Sequence, residues 1–224
     1  MGEGRPYSSD VGRGYPPRTA KPGGLEAGQG VALVPGPTRF RTLAGNHRLL
    51  RGHTEMDAIE RVVARDEIRQ LACRYALATD SRNLDELVEL FVEDVQVGPD
   101  TFGRPALRAN FETQLRGVGV TILFVGNHLI DFESDALARG HVYCRAEIQD
   151  GDRWIQQAIL YRDLYRRDQD RWLFVRRNHR LWYGAEAASN PLAQEPANWP
   201  QNHSGRGTLP EEWETWGEFW RETN

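Results

Sequence analysis

The chain has 224 residues, 39% of them hydrophobic and 27% charged, with a formal net charge of -4. That length holds one domain with a sizeable core, and the polarity is that of a soluble globular protein, with no apolar run near the roughly 18–20 residues of a membrane span. The two cysteines lack metal-type spacing and read as reduced thiols of a cytoplasmic protein, which excludes a disulfide framework.

Residues 1–55 carry half of the glycines (11 of 22) and half of the prolines (6 of 12). They show neither helical nor strand periodicity and cannot bury enough apolar surface to offset their ordering entropy. They are expected to be a disordered extension, either a mis-assigned start or a true tail. Their charge is +4 and that of the remainder is -8. An acidic folded part argues against a nucleic-acid surface, although "YRDLYRRDQDRWLFVRRNHR" is rich in arginine.

From Met56 onward the pattern is periodic. Residues 57–79 lack Gly and Pro and predict a helix, with Thr54 as its cap. Its apolar face reads Ile59, Val62, Val63, Ile68, Leu71, Ala72, Tyr75 and Thr79. "NLDELVELF" restarts a helix, with Asn83 at the N-cap and Glu86 at the capping-box position. Asp80 lies at the seam of the two helices, facing the negative end of a macrodipole. It is either the residue of a turn or half of a catalytic pair.

"DVQVG" (94–98) predicts a short strand, and 103–115 a third helix with Pro105 in its first turn. The period then changes from 3.6 to 2. Segments 120–132, 135–148, 153–167 and 171–184 predict four long strands joined by tight turns, hence an antiparallel meander. Helices followed by a long curled sheet make an α+β architecture with a pocket between the layers. Three units follow: the extension 1–55, a domain 56–184, and a tail 185–224. The tail carries a docking helix marked by Trp213, Trp216, Phe219 and Trp220, with Thr208 and Glu211 as a capping box.

On the strand 135–148 the even positions are small or apolar, from Ala138 to Ile148, and the odd ones include His141 and Tyr143. The small face suits close packing against another layer or a subunit, and a homodimer through Ala138, Val142 and Ala146 is expected. His141 is either a surface histidine or a general base near neutral pH. On the preceding strand His128 is the polar side chain of an apolar face, either a satisfied core histidine or a substrate contact. Gly126 before it can mark a bulge, which leaves open whether Asn127 or His128 points into the pocket. No dinucleotide fingerprint, phosphate loop, nucleophile elbow or zinc spacing is present. The chemistry expected is therefore proton transfer by side chains, with no cofactor and no metal.

The order "IRQLACRYALATDSRNLDELVELFVEDVQVG", a helix, and a meander ending "YRDLYRRDQDRWLFVRRNHRLWYG" resembles the nuclear transport factor 2-like superfamily, nearest its SnoaL-like, scytalone dehydratase-type branch. The resemblance spans about residues 57–184. It implies a cone-shaped α+β barrel, a deep hydrophobic pocket and dimerisation through the sheet. Asp80 falls on the branch's aspartate, and His141 on one of its two pocket histidines. Leu123 stands at the other histidine, Thr79 at a tyrosine and Tyr161 at an asparagine. The implied catalytic pair is Asp80 and His141, with Tyr75, Asn127, His128, Tyr143 and Tyr161 as substrate contacts. The implied function is dehydration or isomerisation of a small hydrophobic cyclic carbonyl or polyol. The alternatives are a cyclase using an aspartate alone and a non-catalytic binding or assembly protein.

Overall fold

The computed structural model of the chain describes residues 56–221, so the extension 1–55 and the cap at Thr54 lie outside the described residues. Helix α1 spans Ala58–Asp80 and is capped by Asp57. The Asp57 carboxylate accepts from the backbone N–H of Ile59 and Glu60 at 2.8 Å each, and Glu60 returns a bond to the Asp57 N–H. This capping box satisfies three of the donors that a helix start leaves open. The buried face is Ala64, Ile68, Leu71, Ala72, Tyr75, Ala76 and Thr79. The expected positions Ile59, Val62 and Val63 are exposed instead. At 3.6 residues per turn they fall on the opposite side of the helix from Ile68 and Tyr75.

Helix α2 (Leu84–Glu89) begins at Asn83, whose side-chain oxygen accepts from the Glu86 N–H at 3.1 Å. Short strands β1 (Gln96–Gly98) and β2 (Thr101–Phe102) pair with each other, and helix α3 (Arg104–Arg116) follows with Pro105 in its first turn. Strands β3 (Thr121–Ser134), β4 (Leu137–Asp150), β5 (Arg153–Asp168) and β6 (Arg171–Glu186) form one antiparallel sheet in sequence order. The fold is thus α+β, with the helices on one face of a curved antiparallel sheet. The core between the layers is aromatic: Tyr75, Phe91, Phe111, Tyr165 and Phe174. Phe174 also exchanges backbone bonds with Leu90 and Val92, which ties the end of α2 to β6.

Two of the register shifts in the sheet reset the faces that line the interior. Val125 pairs with Cys144 but His128 with Val142, so Gly126 and Asn127 together oppose Tyr143 and β3 gains one residue. Before them Thr121 and Leu123 face inward, and after them His128, Ile130 and Phe132 do. On β6, Phe174 pairs with Tyr165 but Arg176 with Leu164, so Val175 is extra and the inward parity passes to Arg177 and His179. On β4 the alternation is unbroken: Ala138, Gly140, Val142, Cys144 and Ala146 are buried, and Arg139, His141, Tyr143 and Arg145 are exposed. The small residues are inside because larger ones would collide there. A Cβ on Gly140 would lie 2.7–2.8 Å from the ring and hydroxyl of Tyr165. Ala138, Val142 and Ala146 are therefore core residues, not the dimer face expected of them.

Helix α4 (Glu214–Arg221) starts later than the capping box expected at Thr208 and Glu211. It docks on the corner between α1 and α2. The Thr215 hydroxyl donates to the Ser81 carbonyl at 2.8 Å, and Phe219 is buried. Burial of that ring contributes about 1.5–3 kcal/mol, enough to hold a short helix that could not stand alone.

Candidate active site

Helix α1 runs its last turn against the start of β3, and Asp80 is the residue that arrives there. Its Oδ1 accepts from the Thr121 hydroxyl and its Oδ2 from the Leu123 backbone N–H, both at 2.9 Å. Thr121 and Leu123 also line a cavity of about 90 Å³. The other walls are Tyr75 and Thr79 of α1, Gln114 and Leu115 at the end of α3, and Ala146, Ile159, Tyr161 and His179 of the sheet. Asp80 thus stands at the edge of an apolar cavity. An apolar cavity of roughly 150 Å³ holds a benzene molecule, so this one suits a small ligand or one part of a larger ligand.

Burial raises the carboxyl of Asp80 from 3.8 to about 6, although the Leu123 N–H, the Thr121 hydroxyl and nearby Arg82 all favour its charged form. It therefore changes charge close to neutral pH, where a carboxylate can both take up and return a proton. His179, half-buried in the cavity wall, has its pKa lowered by burial and by Arg177. Its imidazole is neutral at pH 7 and meets the Tyr161 ring edge-on at 5.6 Å. Burial pushes the phenol of Tyr75 up to about 12 and raises that of Tyr161 as well. Both stay protonated and can donate to a ligand oxygen. Neither hydroxyl has a hydrogen-bond partner among the described residues.

Behind these tyrosines lies a buried ion pair. Arg177 bonds Asp163 through two nitrogens at 3.1 and 3.2 Å, and the Tyr165 hydroxyl donates to Asp163 at 2.8 Å. The guanidinium also lies over the rings of Tyr161 and Tyr75, at 4.1 and 4.4 Å from their centroids. It is a cation held against the back of two cavity walls.

The residues expected at the site separate into two groups. Asp80, Tyr75 and Tyr161 gather at the cavity. His141 does not: it lies on the outer face of β4, so it and Asp80 are on opposite sides of the sheet. Tyr143 is also outside, stacked on Trp182 at 6.4 Å. Asn127 is exposed in the β3 bulge, and His128 faces inward. It meets the Tyr165 hydroxyl at 3.0 Å and does not line the cavity; burial lowers its pKa to about 4. His179, Thr121, Gln114 and Gln157 are among the wall residues missed. The Val175 bulge hides His179, since strict alternation from Trp172 and Phe174 would turn it outward. Among the described residues no group of three or more His, Cys, Asp or Glu side chains is gathered as metal ligands would be.

The comparisons with known proteins agree with this architecture. No curated protein matches the chain at a significant level. Among solved structures, the chain is similar to a protein from Novosphingobium aromaticivorans provisionally assigned as a scytalone dehydratase. The two are 24% identical with a TM-score of 0.52, over 62% of this chain and 99% of that one. It is also similar to the hexachlorocyclohexane dehydrochlorinase LinA-type3 from Novosphingobium barchaimii, at 22% identity and a TM-score of 0.53, over 59% of this chain and 95% of that one. At these identities the likeness is one of fold. The family model for the SnoaL-like domain matches residues 60–178, more than half of the sequence, and the chain belongs to that family.

Proposed function

We propose that the protein is a cofactor-independent lyase or isomerase that moves a proton on a small, largely apolar carbonyl compound. The observation that carries this reading is Asp80: a carboxyl lifted to about 6 at the edge of an apolar cavity, with both oxygens fixed by cavity-wall donors. In this reading Asp80 removes a proton alpha to the carbonyl. The hydroxyls of Tyr75 and Tyr161 receive the oxygen on which negative charge develops. Asp80 then returns that proton to a leaving hydroxyl, which departs as water, or to the far carbon, while the neutral imidazole of His179 offers the substrate a hydrogen bond. The two similar structures are named for a dehydratase and a dehydrochlorinase, both elimination enzymes, and those names accord with this reaction type.

The test is exchange of alpha protons. Small cyclic ketones incubated with the protein in D₂O should exchange them, followed by NMR, and Asp80→Asn should abolish the exchange. Equal exchange by parent and variant across the panel sinks the reading. A second reading, cyclisation by an aspartate alone, is favoured by the partners of Asp80, which are Thr121 and Leu123, with no imidazole bonded to it among the described residues. Its signature is a ring-closed product without loss of water.

The outer face of the sheet bears on assembly. Phe124, Leu129, Tyr143 and Trp182 are exposed there, as large apolar side chains on one sheet surface. We propose self-association through this face, in place of the face of Ala138, Val142 and Ala146. No helix of the described residues is long and apolar enough to cross a membrane, and a cytoplasmic location belongs to the same proposal.

A further inference from the structure

The turn after α1 contains a second buried charge that the proposed reaction does not use. Arg82 is 2% exposed and has φ of 60°, a left-handed conformation that a non-glycine residue adopts only under constraint. The constraint is visible. Its Nη1 donates to the Thr79 carbonyl at 2.6 Å and to the Thr121 hydroxyl at 2.9 Å, and its Nη2 donates to the Gly119 carbonyl. The Thr121 hydroxyl has one proton, and it goes to Asp80. Thr121 therefore takes a bond from the guanidinium and gives one to the carboxyl, which orients that hydroxyl toward Asp80.

The outer side of the guanidinium is covered by α4. Its central carbon lies 4.8 Å from the centre of a Trp216 ring and 5.9 Å from that of Phe219. Arg116 of α3 stacks on Phe219 as well, at 4.4 Å. Helix α4 lies outside residues 60–178, the part that matches the family model. A segment added to the domain thus closes over the network that ends on Asp80.

We infer that Arg82 is a positioning residue for Asp80, acting through Thr121, and that helix α4 belongs to the site because Trp216 holds the guanidinium in place. This rests on the reading of Asp80 as the reactive group, but its test needs no turnover. Asp80 can be followed by ¹³C NMR of its carboxyl carbon in the full-length protein as the pH is changed. The other titratable groups that act on it are Tyr75 of α1 and Cys144 of β4. Burial raises them to about 12 and about 11, so neither changes charge in the window of Asp80.

Arg82 favours the charged carboxylate, so its loss moves the titration to higher pH. Arg82→Met keeps the bulk and removes the cation, and should raise the midpoint by on the order of one pH unit. Arg82→Lys should return part of that shift. Trp216→Ala should give a smaller upward shift, and Trp216→Phe, which keeps an aromatic face, should leave the midpoint near the parent's. If Arg82→Met does not fold, the two Trp216 variants decide. An Asp80 midpoint unchanged in Trp216→Ala overturns the inference, as does an unchanged midpoint in folded Arg82→Met. Failure of Asp80→Asn to affect ketone exchange would overturn the proposed reaction and leave this result standing.

Discussion

Among the described residues two buried aspartate–arginine arrangements stand out, and they are built differently. Asp163 and Arg177 touch directly, with two bonds, and both side chains are almost inaccessible. Burial lifts the pKa of Asp163 against the pull of Arg177, and Asp163 in turn holds the guanidinium more firmly protonated despite its burial. Asp80 and Arg82 meet only through the Thr121 hydroxyl. Burial there outweighs the partners, and the carboxyl titrates at about 6. A direct fork makes a structural cation that backs two aromatic rings. In the bridged pair no guanidinium nitrogen bonds the carboxyl itself. On the proposed function the same two residue types serve packing in one place and chemistry in the other; burial raises both carboxyls, and the pairs differ in whether the guanidinium bonds the acid directly or through a hydroxyl.

The largest expected effect breaks the direct pair. Asp163→Ala leaves a buried guanidinium without its counter-charge and should cost about 3–5 kcal/mol by urea denaturation. The bridged pair should respond through activity. Asp80→Asn should slow any alpha-proton exchange by about 10²–10⁴-fold.

The same variant sharpens the contrast through pH. Asp80 is raised in the folded state, so its folded form holds a proton that the unfolded chain releases above about 3.8. Its contribution to stability is complete below that pH and is lost as pH rises through about 6. Asp80→Asn should therefore be more stable than the parent at pH 7, by about 1–2 kcal/mol in thermal melts, with the gap closing near pH 4. For activity, the parent should show an acid limb with a midpoint near 6, where Asp80 becomes a carboxylate. The smallest effect belongs to the other face of the sheet. His141→Ala should leave exchange and melting unchanged, within about 0.5 kcal/mol, because that side chain is in solvent. Loss of exchange in that variant would restore His141 to the site.

Much of the architecture was legible because the apolar period changes once, from helical to alternating, near residue 120. Asn83 as a cap, Pro105 in a first turn and Gly126 as a bulge are local chemistry and can be read locally. The site was legible only in part. Asp80, Tyr75 and Tyr161 lie on elements whose inward face is plain or is marked by the family resemblance. His141 was misplaced because both faces of β4 carry side chains that can be buried, and composition does not say which face the helices cover. Gly140 against Tyr165 decides it, and that contact joins residues on neighbouring strands. His179 was missed because one extra residue, Val175, inverts the stretch of β6 that follows it up to Leu181. Ile59, Val62 and Val63 mimic a continuous stripe but belong to the opposite side of α1.

Helix α4 gives the site an order of assembly. Asp80, Arg82 and Thr121 leave the ribosome well before Trp216 and Phe219, since the chain is made from its N-terminus at about 5–20 residues per second. For some seconds a nascent domain can pair its strands and close its core while the Arg82 guanidinium still lacks its aromatic cover. If Trp216 holds Arg82 as inferred, Asp80 acquires its final setting only when α4 has been synthesised and has docked. On the inferred role of Arg82, maturation of such a centre waits for α4, and a chain interrupted before Trp216 that folds its sheet would carry Asp80 in a different setting.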